Sequence, residues 1–177
     1  MARASAGENV NVDVDVNVDV NLDVDAAAVR ELLGREPRAQ FEVAVRADDG
    51  SPAVIRNAPF TRDGTPMPTR YWLVDRALDQ GVARLEADGG VRAAEADVDP
   101  VALAAAHRAY AAEREAAIPA AHAGPKPFGG VGGTRRGVKC LHAHYAYWLA
   151  GGADPVGEWV AARLDPTTVG DAAGRAQ

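Results

Sequence analysis

The 177-residue chain reads as an α+β protein, a small antiparallel sheet of two or three strands with about four helices packed on one face. Three observations lead there. Strand-like segments cluster before residue 75, helical spacing takes over after it, and an aspartate stands before three helix starts, at Asp75, Asp99 and Asp154. At Asp99 and Asp154 the next residue is proline, which fits the first helical position because its missing N–H has no partner there anyway.

Taken in order, Ala26 to Leu33 has helical composition, with Gly34 placed to end it and Pro37 to prevent its continuation. Phe41 to Arg46 alternates as a strand does, Asp48 to Ser51 is turn chemistry, and Ala53 to Arg56 is the returning strand of a hairpin. Pro59, Pro66 and Pro68 keep Asn57 to Thr69 extended. Arg70 to Val74 is the third strand. Asp75 then caps a helix from Arg76 to Asp88, where Leu78, Val82 and Leu85 recur at helical spacing and Gly89-Gly90 ends the run. Asp99-Pro100 opens a helix to about Ile118, where Pro119 stops it, and Asp154-Pro155 opens a short one to about Leu164. A single domain over residues 26–165 follows, with a frayed tail at 166–177.

From Asn9 to Asp25, Asn or Asp alternates with Val or Leu at every second position. Period two is the strand signature, yet strands rarely exceed about 10 residues, and no partner segment lies nearby. Residues 1–25 therefore read as a solvated low-complexity tail. Calcium binding by its aspartates is the weaker reading, because the glycines that turn a calcium-binding repeat are absent.

Apolar residues make up 47% of the chain, enough for a core, but only 6% are aromatic, so burial is built from many small contacts. The net charge of −6 argues against a general nucleic-acid coat, and one cysteine excludes an intrachain disulfide framework. No apolar run reaches a membrane span or a signal core, which makes a cytoplasmic location the expectation.

Residues 116–153 contain no Asp or Glu but hold Lys126, Arg135, Arg136, Lys139, three of the four histidines and Cys140. Within them Gly132-Gly-Thr-Arg-Arg-Gly137 resembles a phosphate-binding loop. It departs from the ATPase motif because Val138 precedes Lys139, Cys140 replaces the hydroxyl residue and no strand leads in. Loop amides, a helix N-terminus and three cations still form a generic anion cradle. Gly132 and Gly133 would allow close backbone approach, Arg135, Arg136 and Lys139 would supply charge, and Thr134 and His142 would add polar contacts.

Drawn as a helix at about 100° per residue, Cys140 and His144 share a face, while His142 falls roughly 200° from Cys140. Cys140, in the first turn and beside Lys139, is then a candidate nucleophile with His144 as its base. Its alternative is a small buried apolar group. Cys-Leu-His-Ala-His is not a three-ligand metal site on a helix, and as a strand its outer pair would stand about 13 Å apart. His107 and His122 show no partner spacing. No metal ligand and no cofactor is assigned. Trp72, Trp148 and Trp159 read as core or interface anchors.

The pieces Asp63-Gly-Thr-Pro-Met-Pro-Thr-Arg-Tyr-Trp-Leu73, Ala83-Arg-Leu-Glu86, Val138-Lys-Cys-Leu-His-Ala-His-Tyr-Ala146 and Pro155-Val-Gly157 together resemble a bacterial family. It is the one catalogued as domain of unknown function number five hundred and one, common in actinobacteria. The likeness covers roughly Leu33 to Leu164. The resemblance implies no activity; its gene neighbourhoods imply a link to cell division, the envelope or phosphate biology. Relatives carry further cysteines where this chain reads Arg46-Ala47 and Val74-Asp75, so a metal site built on those thiols is not expected here.

Three functions stay open on these residues, beside a zinc or iron ion held with ligands from a second chain. The first is binding of an anionic, phosphate-bearing small molecule at the Gly/Arg-rich loop and the following helix. The second is a non-catalytic module that docks an acidic protein segment. The third is an enzyme using Cys140 and His144.

Overall fold

Three strands form an antiparallel meander in the computed structural model, which describes residues 24–164. They are β1 (Ala39–Arg46), β2 (Pro52–Thr61) and β3 (Tyr71–Leu73), in the order β1-β2-β3. The hairpin between β1 and β2 turns at the expected place, where Asp49 accepts hydrogen bonds from the Ser51 amide and hydroxyl. β2 runs past Arg56, through Pro59, to Thr61. Pairing steps from Phe41↔Asn57 to Ala39↔Thr61, so extra β2 residues bulge around Pro59, which cannot donate to the ladder.

Six helices accompany the sheet among the described residues. α1 covers residues 24–33, followed by α2 (Arg76–Ala87), α3 (Gly90–Asp97), α4 (Pro100–Ala116), α5 (Leu141–Leu149) and α6 (Pro155–Ala161). All three aspartate caps hold: Asp75 accepts from the Leu78 amide, Asp99 from Val101 and Ala102, and Asp154 from Val156 and Gly157. The expected tail up to residue 23 and the tail from residue 166 lie outside the described residues; residues 24 and 25 begin α1.

Two features differ from the sequence expectation. Gly89-Gly90 ends α2 but also starts α3, because Gly89 takes a left-handed φ of 86° and the chain re-enters a helix at once. The helices also do not all lie on one face. Val54 and Ile55, consecutive in β2, are both fully buried. Ile55 packs with Val29 and Leu32 of α1, whereas Val54, Tyr71 and Leu73 join the main core. The centre of the sheet is thus covered on both sides.

The main core holds Leu78, Tyr110, Leu141, Tyr145, Val156 and Val160, drawn from α2, α4, α5 and α6. α5 is its central helix. Six of its nine residues are buried, nearly all round its circumference. Arg114 of α4 is fully buried as well, with its Nη1 donating to Pro68 O.

Candidate functional site

α4 points Leu103, Ala104, His107, Arg108 and Ala111 to one side, as helical spacing of three to five residues dictates. Across from that face runs the loop 129–137. The two are held together by His107. Its Nδ1 accepts the Val131 amide at 3.0 Å and its Nε2 bonds Gly137 O at 3.1 Å. Those partners require a neutral ring with the proton on Nε2. Burial pushes the His107 pKa below its ordinary value, in keeping with that state. Gly130 is needed at this junction, since a Cβ there would lie 2.4 Å from His107 Nδ1.

Between helix and loop lies an open cleft of about 630 Å³. Arg108, Arg135 and Arg136 stand on its walls, and Leu103, Ala104 and Ala111 line its apolar side. Glu95 is its one lining carboxylate, and Oε2 of that group accepts the Val138 amide. No ion pair involves the three arginines among the described residues; Arg135 lies over the Phe128 ring at 5.2 Å. The cleft therefore concentrates positive charge in an acidic protein.

The loop lines the cleft with the Arg135 and Arg136 side chains and with the backbone of Gly129, Gly130 and Gly137, and five of its amides are already bonded within the protein. The amides of Gly130, Val131, Gly133, Thr134 and Arg136 bond to Thr134 O, His107, Gly130 O, Val131 O and Thr134 Oγ1. Gly132, Gly133 and Thr134 shape the loop and do not line the cleft: Gly133 packs on Pro68, and Thr134 Oγ1 donates to Arg136 O. Lys139 is exposed and also lies outside the lining. The start of α5 already faces a carboxylate, because Leu141 N donates to Glu86 Oε1 at 2.6 Å.

Cys140 and His142 belong to a second cluster. Cys140 is the N-cap of α5 with an extended φ of −157°, not a first-turn residue, so the roughly 200° helical separation does not apply. Its Sγ lies 3.8 Å from His142 Nδ1, which is 3.3 Å from Glu86 Oε1. His142 Nε2 bonds Asp79 O at 3.2 Å. Burial opposes charge on His142, but Cys140, Glu86 and the Asp79 carbonyl outweigh it and raise its pKa to about 9.

His144 is not brought to Cys140. It is fully buried, with Nδ1 2.7 Å from Asp154 Oδ2, and its ring meets the edge of His107 at 5.5 Å. The imidazole within reach of the thiol is that of His142.

The profile of the family described as Protein of unknown function (DUF501) matches residues 43–162. The chain belongs to this family. Neither the curated proteins nor the solved structures include a match to the chain.

The cleft and the thiol cluster of this DUF501 domain both fall inside the matched span. Sequence reasoning missed His107 and Arg108 on α4, and Glu86 and Asp79 on α2. A signal for the first pair exists: laid on a helical wheel, Ala104, His107, Arg108 and Ala111 make a small-residue face with two basic groups. Glu86 and Asp79 carry no such signal, because they are ordinary polar positions of an amphipathic helix. No helix among the described residues is long and apolar enough to cross a membrane.

Proposed function

We propose that this DUF501 domain binds an anionic, phosphate-bearing ligand in the cleft between α4 and the loop 129–137. The observation that carries this reading is the convergence of Arg108, Arg135 and Arg136 on one cleft with no carboxylate partner among the described residues. Guanidinium groups present paired N–H donors that match phosphate oxygens. The apolar wall of Leu103, Ala104 and Ala111 suits an uncharged portion of the same ligand.

Relative to the sequence expectation, the binding groups shift. Arg135 and Arg136 keep their role, Arg108 joins them from α4, and the glycines act by letting the loop lie against His107. A thermal-shift panel of phosphate, pyrophosphate, polyphosphate, nucleotides and sugar phosphates tests the reading. A ligand at 100 times its Kd stabilises by about 2.7 kcal/mol. The expected result is a shift for at least one member that disappears in Arg135→Ala/Arg136→Ala; no shift across the panel contradicts it.

A further inference from the structure

We infer that Glu86, Cys140 and His142 form a binding site for a zinc-class divalent cation, separate in its residues from the arginine cleft. One ligand atom from each of the three lies within 4.8 Å of the other two. A tetrahedral zinc ion, with Zn–N and Zn–O near 2.0 Å and Zn–S near 2.3 Å, sets its ligands roughly 3.3 Å (N to O) and 3.6 Å (N to S) apart. His142 Nδ1 stands 3.3 Å from Glu86 Oε1 and 3.8 Å from Cys140 Sγ. Two of the three separations already match a bound ion, before any adjustment of rotamers.

The orientation of the His142 ring is also set for ligation. His142 Nε2 donates to Asp79 O at 3.2 Å, with Asp79 Oδ1 3.5 Å away. With Nε2 so committed, Nδ1 faces the thiol and the carboxylate, and once its proton gives way to an ion three electron-pair donors converge. A proton on Nδ1 serves one neighbour at a time, whereas a divalent ion serves all three. A carbonyl or carboxylate on the far nitrogen is the usual second partner of a metal-bound histidine. Glu86 is held in place as well, because the same Oε1 accepts the Leu141 amide at 2.6 Å.

Each of the three residues is half-buried, so an ion can enter and a fourth ligand can reach it. One thiolate, one imidazole and one carboxylate select a borderline ion over magnesium or calcium. Three protein ligands with one open position is the plan of a zinc that binds water or a substrate group. The three residues come from the end of α2 and the start of α5, elements distant in sequence. The ion would thus tie α5 to α2 at the same point where Glu86 already caps α5.

The test uses the full chain, reduced and freed of metal by a chelator, titrated with Co²⁺ and then with Zn²⁺ in competition. Because Cys140 is the only thiol, a thiolate-to-cobalt charge-transfer band reports on that residue alone. The expected result is one ion per chain, a band displaced by Zn²⁺, loss of the band in Cys140→Ser, and affinity at least tenfold weaker in His142→Asn and Glu86→Gln. Asp79→Asn should leave the affinity nearly unchanged, because His142 Nε2 donates to the Asp79 backbone carbonyl, which that variant keeps. Glu86→Gln keeps an acceptor for the Leu141 amide, and circular dichroism of each variant checks that it folds. Absence of binding, binding without the thiolate band, unchanged affinity in folded His142→Asn and Glu86→Gln, or one ion bridging two chains would each overturn the site.

Discussion

His107 accepts the Val131 amide on Nδ1 at 3.0 Å, and this bond joins α4 to the glycine loop. It exists only while the ring is neutral. Burial holds the folded pKa of His107 below its ordinary value of 6.5, so the folded state binds fewer protons than the unfolded one. The stability this contributes is full above about pH 6.5 and declines as pH falls through the lower, folded pKa. Melting temperature measured from pH 6.5 to 5.0, below the window in which the raised pKa of His142 acts in the opposite direction, should fall with acid, and the slope should be shallower in His107→Gln, which does not titrate. Equal slopes would remove His107 as the acid-sensitive group.

Gly130 lies against the same ring. A Cβ at that position would sit 2.4 Å from His107 Nδ1 and 2.5 Å from its Cβ, and the ring is tied at both nitrogens. Gly130→Ala should cost about 1–3 kcal/mol in urea unfolding, the ordinary range for overpacking. It should also weaken ligand binding in the cleft, because the loop must move to make room.

Asp154 has two duties. Oδ1 caps α6 and Oδ2 holds the buried His144 ring at 2.7 Å. Asp154→Ala removes a cap worth about 1 kcal/mol and strands a buried imidazole N–H worth about 1–3 kcal/mol, a total of roughly 2–4 kcal/mol. Asp99→Ala deletes an exposed cap only and should cost about 1 kcal/mol. Comparable losses in the two variants by urea denaturation would show that the His144 bond contributes little.

Arg114 is fully buried, and its Nε and Nη2 have no hydrogen-bond partner among the described residues. Burial accordingly pulls its pKa down. Replacement by a side chain of similar length without those donors should be neutral or stabilising, since a charge with unmet hydrogen bonds is removed. Arg114→Met is expected to melt at or above the wild type, whereas Arg114→Ala should lose about 2–5 kcal/mol by leaving a cavity. A large loss in Arg114→Met would mean that the guanidinium itself is required.

What the sequence made legible was local. Asp75, Asp99 and Asp154 mark helix starts because a cap depends on residues two or three positions away, and the β1–β2 turn is written in Asp48 to Ser51. α3 was hidden because a glycine pair that stops one helix looks the same whether or not another begins. The two-sided cover of β2 was hidden because Val54 and Ile55 are apolar neighbours in a strand, and only docking of α1 decides their faces. Around Cys140 helical spacing points to His144 as the partner of the thiol. The extended cap conformation of Cys140 reverses that choice in favour of His142. The arginines of the loop were visible as a charge imbalance, but their companion Arg108 depends on where α4 lies.

Arg108 offers the most direct test of the anion cleft. It is exposed, has no ion-pair partner among the described residues, and lies on a different element from the glycine loop. Arg108→Glu should therefore leave the fold intact while reversing one of three charges on the cleft. Calorimetric titration of the wild type and this variant with pyrophosphate should show binding in the first and an affinity weaker by at least roughly tenfold in the second, as loss of a charged hydrogen bond implies. Equal pyrophosphate affinity in the two proteins, with both folded, would contradict the cleft as the binding site.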